Sequence, residues 1–182
     1  MHLFCDSRSR HLVILLFSSQ LLFFSCREEP HSAASTGHLR MTDDTLVNYN
    51  RKVVKTEDQE IDDLVSRYRW QMQKSPTGLR YMIYKHGNGR KAIENKIAVF
   101  QYEVRLINGT FCYSSDKDGP KEVKLGHGEI ERGLEEGILL MKIGDRAKFI
   151  VPSHLAFGLL GDQARIPPGA TLVYDVELLK VK

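Results

Sequence analysis

The stretch FQYEVRL, residues 100–106, puts Phe100, Tyr102, Val104 and Leu106 on one side of an extended chain and Gln101, Glu103 and Arg105 on the other. A period of two with one apolar and one polar side is the signature of a strand that covers a core and faces water. Asn108-Gly109 follows, a pair that accepts the positive φ of a tight hairpin, and TFCYSS returns from it. Leu79, Tyr81 and Ile83 repeat the alternation earlier in the chain, and RAKFIV and TLVYDVELLKV supply two further strands. Between them, residues 130–141 read as one short amphipathic helix with Leu134, Ile138 and Met141 on a face. Gly133 and Gly137 are one turn apart on it, which lets its backbone approach a sheet closely at a cost in helix propensity. The fold class expected is α+β, an antiparallel sheet wrapped over this helix.

The N-terminal part has a different character. Arg8, Arg10 and His11 precede an apolar run at 12–24 that is short for a bilayer span and suits a signal peptide over 1–25. The run ends in LLFFSC, which resembles a bacterial lipoprotein signal and makes Cys26 the expected lipidation site; an ordinary signal peptide or a buried core segment are the alternatives. Export to the cell envelope follows, with a lipid anchor in a membrane at the periplasm or outer membrane. Were Cys26 the mature N-terminus, Cys5 would be lost and Cys112 left without an intramolecular partner. Residues 26–45 are polar and aperiodic, a flexible tether. A helical segment over 46–76 carries a capping box at Thr56 and Gln59, an apolar stripe of Ile61, Leu64, Val65, Tyr68 and Met72, and a stop at Pro76 and Gly78. Its 57–72 face either packs on the adjacent domain, 77–182, or receives a protein partner.

Several function classes lose support. The net charge of +3 comes from 26 basic and 23 acidic residues with no basic block among aromatics, so no nucleic-acid partner is expected. His31, His38, His86, His127 and His154 are scattered without cysteines or carboxylates at ligand spacing, so no metal is expected. Cys112 and Ser114-Ser115 stand near no motif that would place an activating base. GNG at 87–89 and GHG at 126–128 lack the phosphate-binding pattern and read as turns, and Glu135-Glu136 reads as a solvated helix face. No cofactor is implied.

Taken in order, FQYEVRLINGTFCYSS, KLGHGEIERGLEEGILLMKIGDRAKFIVPSHLAFG and RIPPGATLVYDVELLKV resemble the FKBP family of peptidyl-prolyl cis-trans isomerases, over 77–182. The whole layout resembles the gliding-motility-associated isomerase lipoproteins of Bacteroidetes-type bacteria. The resemblance implies a shallow apolar cup for the prolyl ring of X-Pro segments in exported proteins. Tyr102, Ile130, Phe157 and Tyr174 would be its catalytic residues, and Cys112, Tyr113, Glu129, Glu131, Leu134 and Ile166 would contact substrate, with Leu134 as floor. A loop stiffened by Pro167-Pro168 would arch over it, because proline fixes φ.

The sequence also departs from the family. Cys112-Tyr113 replaces the usual Phe-Asp pair, Phe157 a tyrosine and Leu134 a tryptophan. The resemblance then implies that Tyr102 loses its carboxylate acceptor, that the cup is wider and less polar, and that macrolide recognition is weaker. A noncatalytic binding module on the same fold is the competing reading.

Overall fold

The computed structural model describes residues 43–182. The expected signal peptide, the lipidation site Cys26 and most of the tether lie outside the described residues. In chain order the elements are helix α1 (Asp43–Tyr68), strands β1 (Gln73–Lys74), β2 (Arg80–Lys85), β3 (Ile97–Leu106) and β4 (Phe111–Ser114), a one-turn helix α2 (Ser115–Asp118), β5 (Lys121–Lys124), helix α3 (Arg132–Leu140), β6 (Arg146–Val151) and β7 (Leu172–Val181). The strands form one antiparallel sheet in the order β1-β2-β6-β7-β3-β4, and β5 also pairs with β3.

Strand β3 carries two partners on one edge. Its second half pairs with β4 and its first half with β5, because α2 interrupts the returning chain. At the interruption the Ser115 hydroxyl takes over the missing strand bonds. Its Oγ accepts from the Tyr102 N–H at 3.0 Å and donates to the Tyr102 carbonyl at 3.2 Å.

Helix α3 lies on the inner face of the sheet, and its two glycines explain how closely. A Cβ on Gly133 would sit 2.4 Å from Val151 Cγ1, and one on Gly137 would sit 2.8 Å from the Phe149 ring. Leu134 and Ile138 complete the buried stripe, and with Phe100, Phe149, Leu172 and Leu178 they make the main core.

Helix α1 covers part of the outer face. Ile61 and Leu64 are buried against Ile150, with Val65, Trp70, Met72 and Val173 around them, which is the packing alternative of the two expected for this stripe. The helix differs from its sequence reading at both ends. It is already helical at Asp43, so Thr56 lies mid-helix, and its hydroxyl donates back to the Lys52 carbonyl at 2.9 Å instead of capping a terminus. It stops at Tyr68, ahead of Pro76, through Arg69 at φ 54°, and residues 73–74 already belong to the sheet.

The seam beneath α1 is polar as well as apolar. Arg80, an outward position of β2 expected to be wet, is only 4% exposed. Its guanidinium donates to Asp58 at 2.8 Å and Asp62 at 2.7 Å, both on α1, and to the Gly78 carbonyl at 3.0 Å. Glu57, also on α1, accepts from the Ser153 N–H at 2.6 Å, the Ser153 hydroxyl at 3.1 Å and the Thr171 hydroxyl at 2.5 Å. Ser153 and Thr171 stand at the two ends of the segment joining β6 to β7, so one helical carboxylate fixes both feet of that loop.

Candidate active site

Between α3 and the inner face of β3 and β7 lies a cavity of about 240 Å³ lined by Tyr102, Val104, Tyr113, Lys121, Glu131, Leu134, Phe157, Asp162, Ile166 and Tyr174. Alternation in β3 points Tyr102 and Val104 to this side, and the antiparallel register sets Val104 opposite Tyr174. Leu134, in the first turn of α3, is buried and forms the floor. Phe157, Asp162 and Ile166 come from the β6–β7 loop.

The loop is shaped by a few specific contacts. Asp162 Oδ1 accepts from the N–H groups of Ala164 and Arg165 at 2.9 Å and of Ile166 at 2.7 Å, while Oδ2 accepts from the Tyr113 hydroxyl. The chain crosses itself at Gly161, which takes φ 65° and where a Cβ would meet the Ile166 carbonyl at 2.2 Å. Gly169 N–H donates to the Gly158 carbonyl at 2.8 Å, closing the loop just after Pro167-Pro168 and ahead of β7. Leu159, at the tip, is 88% exposed. Arg165 lies over the Tyr113 ring at 5.0 Å and donates to the Cys112 carbonyl at 2.7 Å.

Of the ten residues singled out as contacting substrate or acting in catalysis, seven line one cavity and three do not. Cys112 is fully buried in the core, and burial pushes its thiol up, away from nucleophilic thiolate chemistry. Glu129 turns back to accept the Lys124 N–H at 2.9 Å. Ile130 is buried behind the start of α3. The N–H groups of Ile130 and Glu131 donate to no acceptor among the described residues, so the helix start keeps two backbone donors. Three lining residues were missed: Val104, assigned only to the strand's core face, and Lys121 and Asp162, which stand in segments without a period.

The cavity is more polar than the departures from the family pattern imply, since Glu131, Asp162 and Lys121 all line it. Among the described residues no side chain accepts from the Tyr102 hydroxyl, and Tyr113, the candidate to replace the missing acceptor, is bonded to Asp162 instead. Burial raises the Tyr102 pKa, with the Asp118 and Glu131 charges adding to it. Tyr174 is raised further, by burial first and then by the Glu131 carboxylate beside it. Asp162 is held below the ordinary carboxyl range: burial opposes this, but the Tyr113 hydroxyl and the three loop N–H groups prevail. Elsewhere, Glu135 and Glu136 act as tethers and not as a bare solvated face, accepting from the Gly126 N–H at 2.6 Å and the Thr77 hydroxyl at 2.7 Å. Among the described residues no three His, Cys, Asp or Glu groups gather as metal ligands would.

Residues 88–179 match a family model described as FKBP-type peptidyl-prolyl cis-trans isomerase. The chain is 39% identical over 111 residues to a probable FKBP-type peptidyl-prolyl cis-trans isomerase FkpA of Neisseria meningitidis serogroup B, spanning 60% of this chain and 40% of that protein. It is 40% identical over 98 residues to an FK506-binding protein of Neisseria meningitidis serogroup A, spanning 53% of this chain and 90% of that one. Among solved structures, FkpA from Escherichia coli superposes with a TM-score of 0.62 at 24% identity, over 98% of this chain and 74% of that one, a likeness of fold alone. AtFKBP13 superposes with a TM-score of 0.58 at 27% identity, over 62% of this chain and 99% of that one.

Proposed function

The chain belongs to the FKBP-type peptidyl-prolyl cis-trans isomerases, and from that membership we propose that its cavity seats the prolyl ring of X-Pro segments and speeds rotation about the bond before the ring. The observation that carries the reading is the cup itself: Leu134 as floor, Tyr102, Tyr174 and Ile166 as walls, and Phe157 brought in by the loop.

Rotation about an X-Pro bond breaks amide resonance against a barrier of about 18–20 kcal/mol and takes tens to hundreds of seconds uncatalysed. No covalent bond is made or broken, so neither a nucleophile nor a cofactor enters the step. A dry apolar seat disfavours the charge-separated resonance form and weakens the partial double bond. The free N–H groups of Ile130 and Glu131 hold a substrate carbonyl while the other side of the bond turns. Each tenfold gain requires about 1.4 kcal/mol, within reach of one buried ring and one or two aimed hydrogen bonds.

The setting proposed is the cell envelope of a bacterium, with exported or motility-related proteins as clients and Cys26 lipidated. The support is the LLFFSC signal and the polar stretch after it, together with the resemblance to gliding-motility isomerase lipoproteins. No helix among the described residues is long and apolar enough to cross a membrane. Acyl mass on the mature N-terminus, lost in Cys26→Ser, is the expected result; an unmodified N-terminus removes the anchor.

A second reading, a noncatalytic module that scaffolds an envelope assembly, draws on the Tyr102 hydroxyl that has lost its acceptor. Exchange NMR on an Ala-Pro peptide with the purified full chain separates the two. Cis-trans exchange faster than the peptide alone supports the isomerase, and background exchange with a folded protein supports the scaffold.

A further inference from the structure

Among the described residues, Glu131 Oε2 is the buried side-chain oxygen with no hydrogen-bond partner, and it belongs to a cup-lining residue. The other carboxylate of the cup is saturated, Asp162 taking the Tyr113 hydroxyl and three backbone N–H groups. Arg165 is committed to the Cys112 carbonyl, and Lys121, though on the same cavity, forms no ion pair with Glu131. A buried acceptor without a donor is costly, so such groups are normally satisfied or serve a ligand.

Two further observations describe the missing donor. Glu131 and Asp118 both raise the Tyr102 pKa, and Glu131 raises that of Tyr174 by its charge and through a hydrogen bond with the Tyr174 hydroxyl. The donor already beside this carboxylate is therefore a neutral one that leaves Oε2 unpartnered and brings no positive charge. The proline ring cannot supply the donor, because proline has no N–H. A backbone amide nearby would serve in any peptide. A lysine ammonium or arginine guanidinium brings both the donor and the opposite charge, and hydrogen bonds to an ionised partner are the stronger ones.

We propose that Glu131 is a specificity-determining residue that selects X-Pro segments with lysine or arginine next to the proline, the cation pairing with the Glu131 carboxylate at the cup wall while the ring rests on Leu134. This rests on the isomerase reading of the cup. It gives the protein a substrate class, basic proline-containing segments, that the apolar lining alone does not.

The test is cis-trans exchange NMR with the full chain on two peptide series, in which lysine, leucine or glutamate either precedes or follows the proline. In at least one series lysine should exceed leucine by about tenfold in catalytic efficiency, the gain of one charge-assisted hydrogen bond, with glutamate poorest. Added salt should narrow the ratio, Glu131→Gln should bring lysine and leucine together, and Glu131→Lys should favour glutamate. Equal turnover of the lysine and leucine peptides in both series, or a lysine preference that survives Glu131→Gln, overturns the proposal. Should a folded protein turn over none of the peptides, the isomerase reading fails instead. Calorimetric affinities of the same peptides then decide the role of Glu131 by the same ratios.

Discussion

Two glutamates on opposite faces of the sheet stand in contrasting surroundings. Glu57, in the seam under α1, has three donors from the feet of the β6–β7 loop, whereas Glu131, in the cup, has a buried oxygen with none. Both are carboxylates at the edge of an apolar cluster, so the difference lies in what the fold supplies to each. A saturated carboxylate is part of the architecture, since removing it strands its donors. One that keeps an orphaned oxygen beside a single hydroxyl contributes less to the folded state alone, and leaves an acceptor for what arrives from outside.

The largest effect expected from this contrast is on stability. Glu57→Ala leaves the Ser153 N–H and the Thr171 hydroxyl without their acceptor, a loss of about 3 kcal/mol, with faster amide exchange along residues 156–169. Glu131→Ala removes an unpartnered oxygen together with one hydrogen bond to the Tyr174 hydroxyl, and should change stability by less than about 1 kcal/mol. Chemical denaturation of both variants checks the pair. Similar losses in the two would break the comparison.

Arg80→Met sharpens the seam's side of it. The guanidinium is buried but its partners are not, Asp58 and Asp62 having side chains 39% and 61% exposed. The freed carboxylates return to water and methionine fills part of the space, so the expected loss is about 1–2 kcal/mol, smaller than for Glu57. Equilibrium denaturation should place it between the two glutamate variants.

Acid tests the same cluster without a mutation. Lys74 and Arg80 hold the Asp58 carboxyl below its ordinary value. Its contribution is therefore complete above the unfolded carboxyl pKa of about 3.9 and is lost as pH falls through the lower folded value. Melting temperatures followed downward from about pH 6 should drop below that range, and more shallowly in Arg80→Met. Equal slopes in both proteins would show that the ion pairs carry no linked stability.

How much of this could be read from the chain follows from how local each feature is. Period two in 100–106 and the glycine pair 133 and 137 announce their own structure, and sheet, helix and close contact stand where they imply. Residues 46–55 lie inside the expected helical segment, but the capping-box pattern at Thr56 misleads as a helix start, and Leu46, Tyr49, Val53 and Val54, exposed ahead of it, mark no buried stripe that would correct it. Arg80 escaped because alternation assigns a side, and only the arrival of α1 turns that side into an interior. In the cup, Lys121 and Asp162 come from a strand end and a loop, where nothing periodic flags them. Glu131 was legible as rim. Its orphaned oxygen depends on where the hydroxyl of Tyr113 goes and on what Tyr174 faces, and those are tertiary facts.

Tyr113 offers the smallest and most discriminating effect. Its hydroxyl is one of four donors on Asp162, and that hydrogen bond is also the main reason its own pKa is raised. Tyr113→Phe leaves the three loop N–H groups in place, and Asp162 is accessible enough for water to take the fourth site. Stability should therefore fall by less than about 1 kcal/mol, with the Asp162 carboxyl, followed by NMR, rising towards its ordinary value. The ring stays as a wall of the cup and beneath Arg165, so peptide turnover should change by no more than about threefold, equivalent to about 0.7 kcal/mol. Were Tyr113→Phe to cost as much as Glu57→Ala, the loop would be held from the cup side as firmly as from the seam. The two faces would then share the work of anchoring it, and satisfied and unsatisfied polar groups could no longer be assigned to separate sides of the sheet.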